Sequence, residues 1–240
     1  MKIWMCLMLV ALTACGQNKF ATLPDDPMSE TEAQETEAST VSMAVETVTM
    51  PVYIKEDESA VLARYAHLDP GHEVPDALLK KAILYFDAYK SRFANKSYMS
   101  VIDFSKHSSK KRFWIIEMKT GAVWGMRTAH GKGSDRQHDG VAESFSNVSG
   151  SNASSLGVYK ASETYFGKYG LSLRLDGLSP TNSNARARAV VIHAAPYVSE
   201  TNVIQGRSYG CPAVTPAHRD RVVEQLKGGS MIYAGLSDIR

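Results

Sequence analysis

Residues 206–214 read GRSYGCPAV, and residues 190–198, a short way upstream, read VVIHAAPYV. Cys211 stands eighteen positions after His193. The chain has 3 cysteines; Cys6 lies inside an apolar N-terminal stretch and Cys15 ends it, which leaves Cys211 alone in the rest of the sequence. A lone thiol makes no internal disulfide and is open to oxidation, so its presence calls for a chemical reason. A nucleophile with a histidine partner supplies one. A free thiol is only a few per cent thiolate at neutral pH, and imidazole is the base whose ordinary titration lies nearest that pH. Val190, Val191 and Ile192 read as a buried strand that ends in His193 and holds it rigidly. Gly210 permits a tight backbone approach, and Pro212 stops the chain from continuing as helix or ladder strand, so Cys211 is expected on a bend. The backbone N–H groups of Gly210 and Cys211 are then the expected donors to an oxyanion.

Outward from these segments the pattern is that of one domain. Apolar residues Leu78, Leu79, Ala82, Ile83, Phe86 and Tyr89 recur at helical spacing after Pro75-Asp76, which predicts a helix over Ala77 to Phe93. Strands are predicted at Tyr98–Phe104, Phe113–Met118, Ala122–Thr128, Leu156–Lys160, Leu171–Leu175, Ala189–His193 and Ser230–Ala234, with Lys119-Thr120-Gly121 as a hairpin turn. Thr215-Pro216 is expected to cap a helix running to Lys227, with Gly228 as its stop. The fold class is therefore mostly β (α+β), with one helix before the sheet and one after the cysteine. From His130 to Ser155 the chain is rich in Gly, Ser and Asn without regular signal, and a loop of that length is expected to be functional or a lid.

The N-terminus sets the compartment. Lys2 precedes an apolar run from Ile3 to Leu12, ten residues, where a membrane-spanning helix needs about twenty. Leu12-Thr13-Ala14-Cys15 resembles the lipobox of bacterial lipoproteins. The resemblance implies a signal peptide over residues 1–14, lipidation of Cys15, and a periplasmic domain anchored to a membrane by its acyl chains. Gly16, where an Asp would mark retention, points to the outer membrane. Residues 15–59 are then a lipidated cysteine followed by an acidic tether. Between Phe20 and Ala60 there are ten acids and a single base, Lys55, with no hydrophobic periodicity, so disorder is expected. A flexible coil of about forty residues has a mean span of roughly 35 Å. Residues 60–240 carry 24 of the 27 Lys and Arg but 15 of the 25 Asp and Glu. Those bases are dispersed, and a periplasmic domain meets no nucleic acid, so an anionic surface or a carboxylate-bearing substrate is the expected partner.

His193, Ser208-Tyr209-Gly210-Cys211 and the spacing between them resemble the signature of the L,D-transpeptidases (YkuD-like), most closely the murein L,D-transpeptidase catalytic domain family. Further segments that carry the resemblance are VIDFS (101–105), RFWIIEM (112–118), TAHGKGSD (128–135), FSN (145–147), SSLGVY (154–159) and LSLRLDGL (171–178). The resemblance implies that Cys211 is the nucleophile, His193 the base and the Ala194 carbonyl the acceptor that orients the imidazole. It implies a peptidoglycan tetrapeptide stem as acyl donor, a thioester intermediate, and no metal or organic cofactor. The acyl group would pass to an amine, or to water in an L,D-carboxypeptidase; a non-catalytic wall-binding lipoprotein is the alternative of another class. Tyr209 stands where the superfamily often has His, and Ala213 where it often has Asn, so roles tied to those residues do not carry over.

Around the catalytic pair, Arg188, Arg207, Ser208, Tyr209, Tyr197 and Asn147 are candidate substrate contacts, the arginines as bidentate clamps for a carboxylate. His130 is expected to line the cleft or fix a loop, because Asp135, His138 and Asp139 near it lack a metal-site spacing. Ser108-Ser109-Lys110-Lys111 and Lys119-Thr120-Gly121 match S-x-x-K and K-T-G, but a predicted strand is all that separates them, so they read as a basic loop and a turn. A papain-like enzyme is disfavoured, since its cysteine precedes its histidine.

Overall fold

The computed structural model describes residues 55–238. The signal segment, Cys15 and the tether up to residue 54 lie outside the described residues. Two helices, α1 (Lys55–Arg64) and α2 (Asp76–Tyr89), precede seven strands, and a third helix, α3 (Arg219–Leu226), lies before the last of them. The strands are β1 (Tyr98–Asp103), β2 (Phe113–Glu117), β3 (Val123–Met126), β4 (Gly157–Gly167), β5 (Gly170–Gly177), β6 (Val191–Ile192) and β7 (Ser230–Gly235). They form one sheet in the order β3-β2-β1-β7-β4-β5-β6. All pairs are antiparallel except β1 with β7, which is parallel. The protein is mostly β with helices before and after the cysteine.

The sheet is buried on both faces, and the period of 2 decides which side chain serves which face. Met99, Val101, Trp114, Ile116, Val158, Met231 and Tyr233 pack with Leu78, Ala82, Ile83 and Phe86 of α2. Their neighbours in each strand, Ile102, Phe113, Ile115, Tyr159, Ile232 and Ala234, join Val222, Val223 and Leu226 of α3 and Leu173, Leu175 and Ile192 on the opposite face. Burying each large apolar side chain is worth roughly 1.5–3 kcal/mol. The helices thus clamp the sheet from two sides, and the strand that ends at His193 is tied to this core through Leu173 opposite Ile192.

Element ends depart from the sequence reading for local reasons. Helix α1 takes in residues 55–59, which composition had assigned to the tether. Helix α2 gives way at Lys90 to a tight 3-10 turn over Lys90–Arg92. Thr215 Oγ1 accepts the Ala217 N–H at 3.1 Å and its carbonyl accepts the His218 N–H, making a turn that delays α3 to Arg219. Strand β6 is shortened to two residues because Ala189 has φ +55, a left-handed conformation that breaks the ladder. Strands β4 and β5 run well beyond their predicted ends as a hairpin closing at Gly167 opposite Gly170. No helix among the described residues is long and apolar enough to cross a membrane.

Candidate active site

Strand β6 leads directly into His193, whose side chain is buried. The segment after Cys211 runs alongside it: the Val214 N–H donates to the His193 carbonyl at 2.9 Å, and the Ala195 N–H donates to the Val214 carbonyl at 2.9 Å. Ala194 and Val214 form an isolated parallel bridge. Nδ1 of His193 lies 2.9 Å from the Ala194 carbonyl oxygen. A carbonyl only accepts, so the neutral ring carries its proton on Nδ1 and keeps a lone pair on Nε2. The Tyr169 ring, at the tip of the β4–β5 hairpin, stacks on the imidazole with centroids 4.4 Å apart and planes at 26°.

Cys211 is half-buried. Its sulfur accepts the Val191 N–H at 3.5 Å and lies 3.8 Å from the Ala189 carbonyl. Burial pushes the Arg188 guanidinium down from its ordinary value, while the negative forms of Tyr159 and Cys211 pull it back up, which places Arg188 within electrostatic reach of the sulfur.

The turn that carries the thiol is tied internally. Gly210 has φ +117, and a Cβ there would lie 2.7 Å from the Ala153 carbonyl and 3.1 Å from the Arg188 guanidinium. Its N–H donates to Ser208 Oγ at 3.1 Å, and Ser208 Oγ donates to the Cys211 carbonyl at 2.7 Å. The Gly210 N–H and the Ser208 hydroxyl are thus both engaged within the turn that carries Cys211. Gly210→Ala is expected to cost on the order of 1–3 kcal/mol of stability and to slow alkylation of Cys211 by iodoacetamide, read by thermal unfolding and by the alkylation rate.

Three other candidate contacts also serve the loop between His130 and Ser155. Arg188 donates to the Ser146 carbonyl at 2.6 Å and to the Ala153 carbonyl at 2.5 Å. Asn147 donates to the Pro180 carbonyl at 3.0 Å and to Ser183 Oγ at 2.9 Å, and accepts the Asn184 N–H at 2.9 Å. Tyr197 is buried in a small apolar cluster with Ala129, Ala195, Val198 and Ala213. All three contribute to the structure around the loop. Arg207 is bonded through Nη1 to the Asp135 carbonyl, and the Tyr209 hydroxyl accepts from Lys132 Nζ at 3.4 Å. Arg207 borders a cavity of about 280 Å³.

The loop is fixed beneath by a buried polar chain that was not foreseen as a unit. Arg112 donates to the Thr128 carbonyl at 3.0 and 2.7 Å and to Nδ1 of His130 at 2.9 Å. Guanidinium has no acceptor, so Nδ1 accepts, and Nε2–H donates to Asp135 Oδ2 at 3.1 Å. Asp135 also accepts the Asp139 and Gly140 N–H groups. His138 instead meets the Gln205 carbonyl at 3.1 Å, so Asp135, His138 and Asp139 do not converge. His130 therefore fixes the loop.

The sequence matches the L,D-transpeptidase catalytic domain over residues 71–234, which is more than half of the chain. The chain belongs to the L,D-transpeptidase catalytic domain family. Solved structures with a similar backbone include L,D-transpeptidase 1 of Mycobacterium tuberculosis, at 15% identity, TM-score 0.33, over 57% of this chain and 61% of that one. An L,D-transpeptidase of Mycobacterium smegmatis matches at 13% identity, TM-score 0.37, over 58% of each chain. One from Stackebrandtia nassauensis matches at 13% identity, TM-score 0.37, over 75% of this chain and 78% of that chain. The match spans less than two thirds of the length of the two mycobacterial proteins. No curated relative matches the chain.

Tyr169, stacked on His193, is a neighbour of the candidate site that the sequence reading did not name. Stacked aromatic pairs are worth about 0.5–1.5 kcal/mol. Tyr169→Ala is therefore expected to lower the acylation rate of Cys211 about three- to tenfold with KM little changed, and Tyr169→Phe to retain it. Steady-state kinetics of the two variants make the check.

Proposed function

We propose that the chain is a cysteine-type L,D-transpeptidase acting on peptidoglycan stem peptides. The observation that carries this reading is the His193 segment laid beside the Cys211 turn, with Nδ1 held by Ala194 and the sulfur on the Val191 N–H. His193 Nε2 takes the thiol proton, and the thiolate attacks the carbonyl carbon of the diamino acid that is bonded to the fourth-position D-alanine. The C–S bond forms, the oxyanion gains a donor from the Cys211 N–H, and the C–N bond then breaks. The imidazolium returns its proton to the leaving D-alanine amine. An amine of a neighbouring stem attacks the thioester, loses a proton to His193, and expels the thiolate. Water in place of the amine gives a tripeptide, and the reaction is then that of a carboxypeptidase.

The N-terminal segment fits this setting. We propose that the chain is exported, lipidated on Cys15 and anchored in the periplasm, with the acidic segment giving the domain reach to the wall. The basic charge of residues 60–240 suits a carboxylate-bearing polymer.

The test incubates the full-length protein and Cys211→Ala with purified disaccharide-tetrapeptide and reads the products by mass spectrometry. Dimers lacking one D-alanine, made by the wild type alone, support transfer. Tripeptide monomers alone turn the reading to the carboxypeptidase, and an untouched tetrapeptide in both samples favours a wall-binding protein.

A further inference from the structure

The cavity of about 280 Å³ beside Tyr209 is lined by Lys132, Gly133, Arg136, Ser151, Asn152 and Arg207: three cations and no acid. Its volume lies just below the range of about 300–1,000 Å³ usual for small-molecule sites. It adjoins the nucleophile turn through both of its walls. Ser208 and Gly131 are bridged, the Lys132 N–H donates to the Ser208 carbonyl at 2.8 Å, and a Cβ on Gly131 would lie 2.9 Å from both N and Cα of Gly210. Lys132 Nζ sits 4.5 Å from the Tyr209 ring centroid, which fixes a positive charge two residues from Cys211. Asp135, the acid nearest in sequence, is not part of the lining. It is buried with its carboxylate turned inward to His130 and to the Asp139 and Gly140 N–H groups, and it offers Arg207 its backbone carbonyl. A solvent-facing cluster of cations next to the turn that carries the thiol attracts anions, and arginine matches carboxylate geometry in particular.

We propose that this cleft is a carboxylate-binding subsite, in which Lys132 and Arg136, beside Arg207, hold the free carboxylates of a peptide brought to Cys211. The assignment rests on the peptidoglycan reading above and names the recognition element of that site. Donor and acceptor stems share the chemistry, and kinetics separate them.

Binding is measured by calorimetry on full-length Cys211→Ala, which cannot turn over, with disaccharide-tetrapeptide carrying either free or amidated carboxylates. Amidation is expected to weaken binding about tenfold, and the added pair Lys132→Gln and Arg136→Gln to weaken the free form by a similar factor without affecting the amidated one. Arg136→Lys, which keeps the charge but loses the bidentate fork, is expected to bind between the parent and the glutamine variant. In the active protein, amidating the donor alone or the acceptor alone raises KM for whichever stem occupies the cleft. Equal affinity for free and amidated peptide, no detectable binding of either, or a double variant that binds like its parent overturns the subsite. Cys211-dependent release of D-alanine together with any of these results leaves the acyl-transfer reading standing. Carboxylate-dependent binding without Cys211-dependent products does the reverse.

Discussion

Replacing His193 by glutamine is expected to slow acylation of Cys211 by about 10²–10⁴-fold, the range that a positioned general base supplies. The imidazole is held on three sides: by the end of β6, by the Ala194 carbonyl 2.9 Å from Nδ1, and by the stacked Tyr169 ring. Glutamine fills much of the same volume and its amide N–H can still meet the Ala194 carbonyl, but it takes no proton at neutral pH. The loss therefore falls on the chemical step, while the thermal midpoint stays near that of the wild type. Rapid-quench measurement of acyl-enzyme formation, paired with thermal unfolding, checks both parts. Acylation within tenfold of the wild type would remove His193 from the base role.

Asp135→Ala is expected to destabilise the fold by about 1–3 kcal/mol for each buried N–H donor it leaves without an acceptor, and it removes one of the two acids, the other being Asp103, that act on the buried Arg112. Arg112 is fully buried, and burial pushes it down to about 9, with Asp103 and Asp135 pulling it back up. It remains charged at neutral pH. Without Asp135, the His130 Nε2–H and the Asp139 and Gly140 N–H groups lose their acceptor as well. Urea unfolding at neutral pH measures the loss. The same chain sets an acid limit. Burial first, and then the Arg112 charge, push His130 down to about 4, against 6.5 in the unfolded chain. Between those values the unfolded state binds more protons than the folded one, so stability rises with pH. Stability is expected to fall by about 3 kcal/mol as pH drops from 6.5 toward 4, and His130→Gln to flatten that dependence. A profile that is level across this window in the wild type would contradict the neutral, Arg112-bound imidazole.

The central strands were legible because two-sided burial writes itself into the sequence. VI (101–102) in β1, FWII (113–116) in β2 and MIYA (231–234) in β7 are apolar at consecutive positions, as strands clamped between two helices must be. The far half of the β4–β5 hairpin was not. Residues 162–167 are mostly solvent-facing, Phe166 is 83% exposed, and the register shifts between Ala161 and Thr164. Apolar alternation therefore fades, and Tyr169 was missed with it. The two glycines around Lys168-Tyr169 were the available signal, since Gly-x-x-Gly between β-prone runs reads as a tight turn.

In the sequence, His193 and Cys211 stood out as candidates because nucleophile chemistry limits the residue types that could serve it. The polar residues around them are harder to assign for a physical reason. A long irregular loop leaves many backbone carbonyls and N–H groups without ladder partners, and each must be satisfied when buried. Arg188, Asn147 and Ser208 do that work, as Arg112, His130 and Asp135 do below. In sequence, a side chain that bonds the loop and one that bonds a substrate look alike. Only the partner distinguishes them.

The most direct test of the nucleophile is the intact mass of the full-length protein after brief incubation with disaccharide-tetrapeptide. The wild type is expected to gain the mass of the stem less D-alanine on Cys211, an added amine acceptor to remove it, and Cys211→Ala to gain nothing. The same adduct on Cys211→Ala, or tetrapeptide consumed by the wild type through a route that Cys211→Ala retains, would contradict Cys211 as the nucleophile.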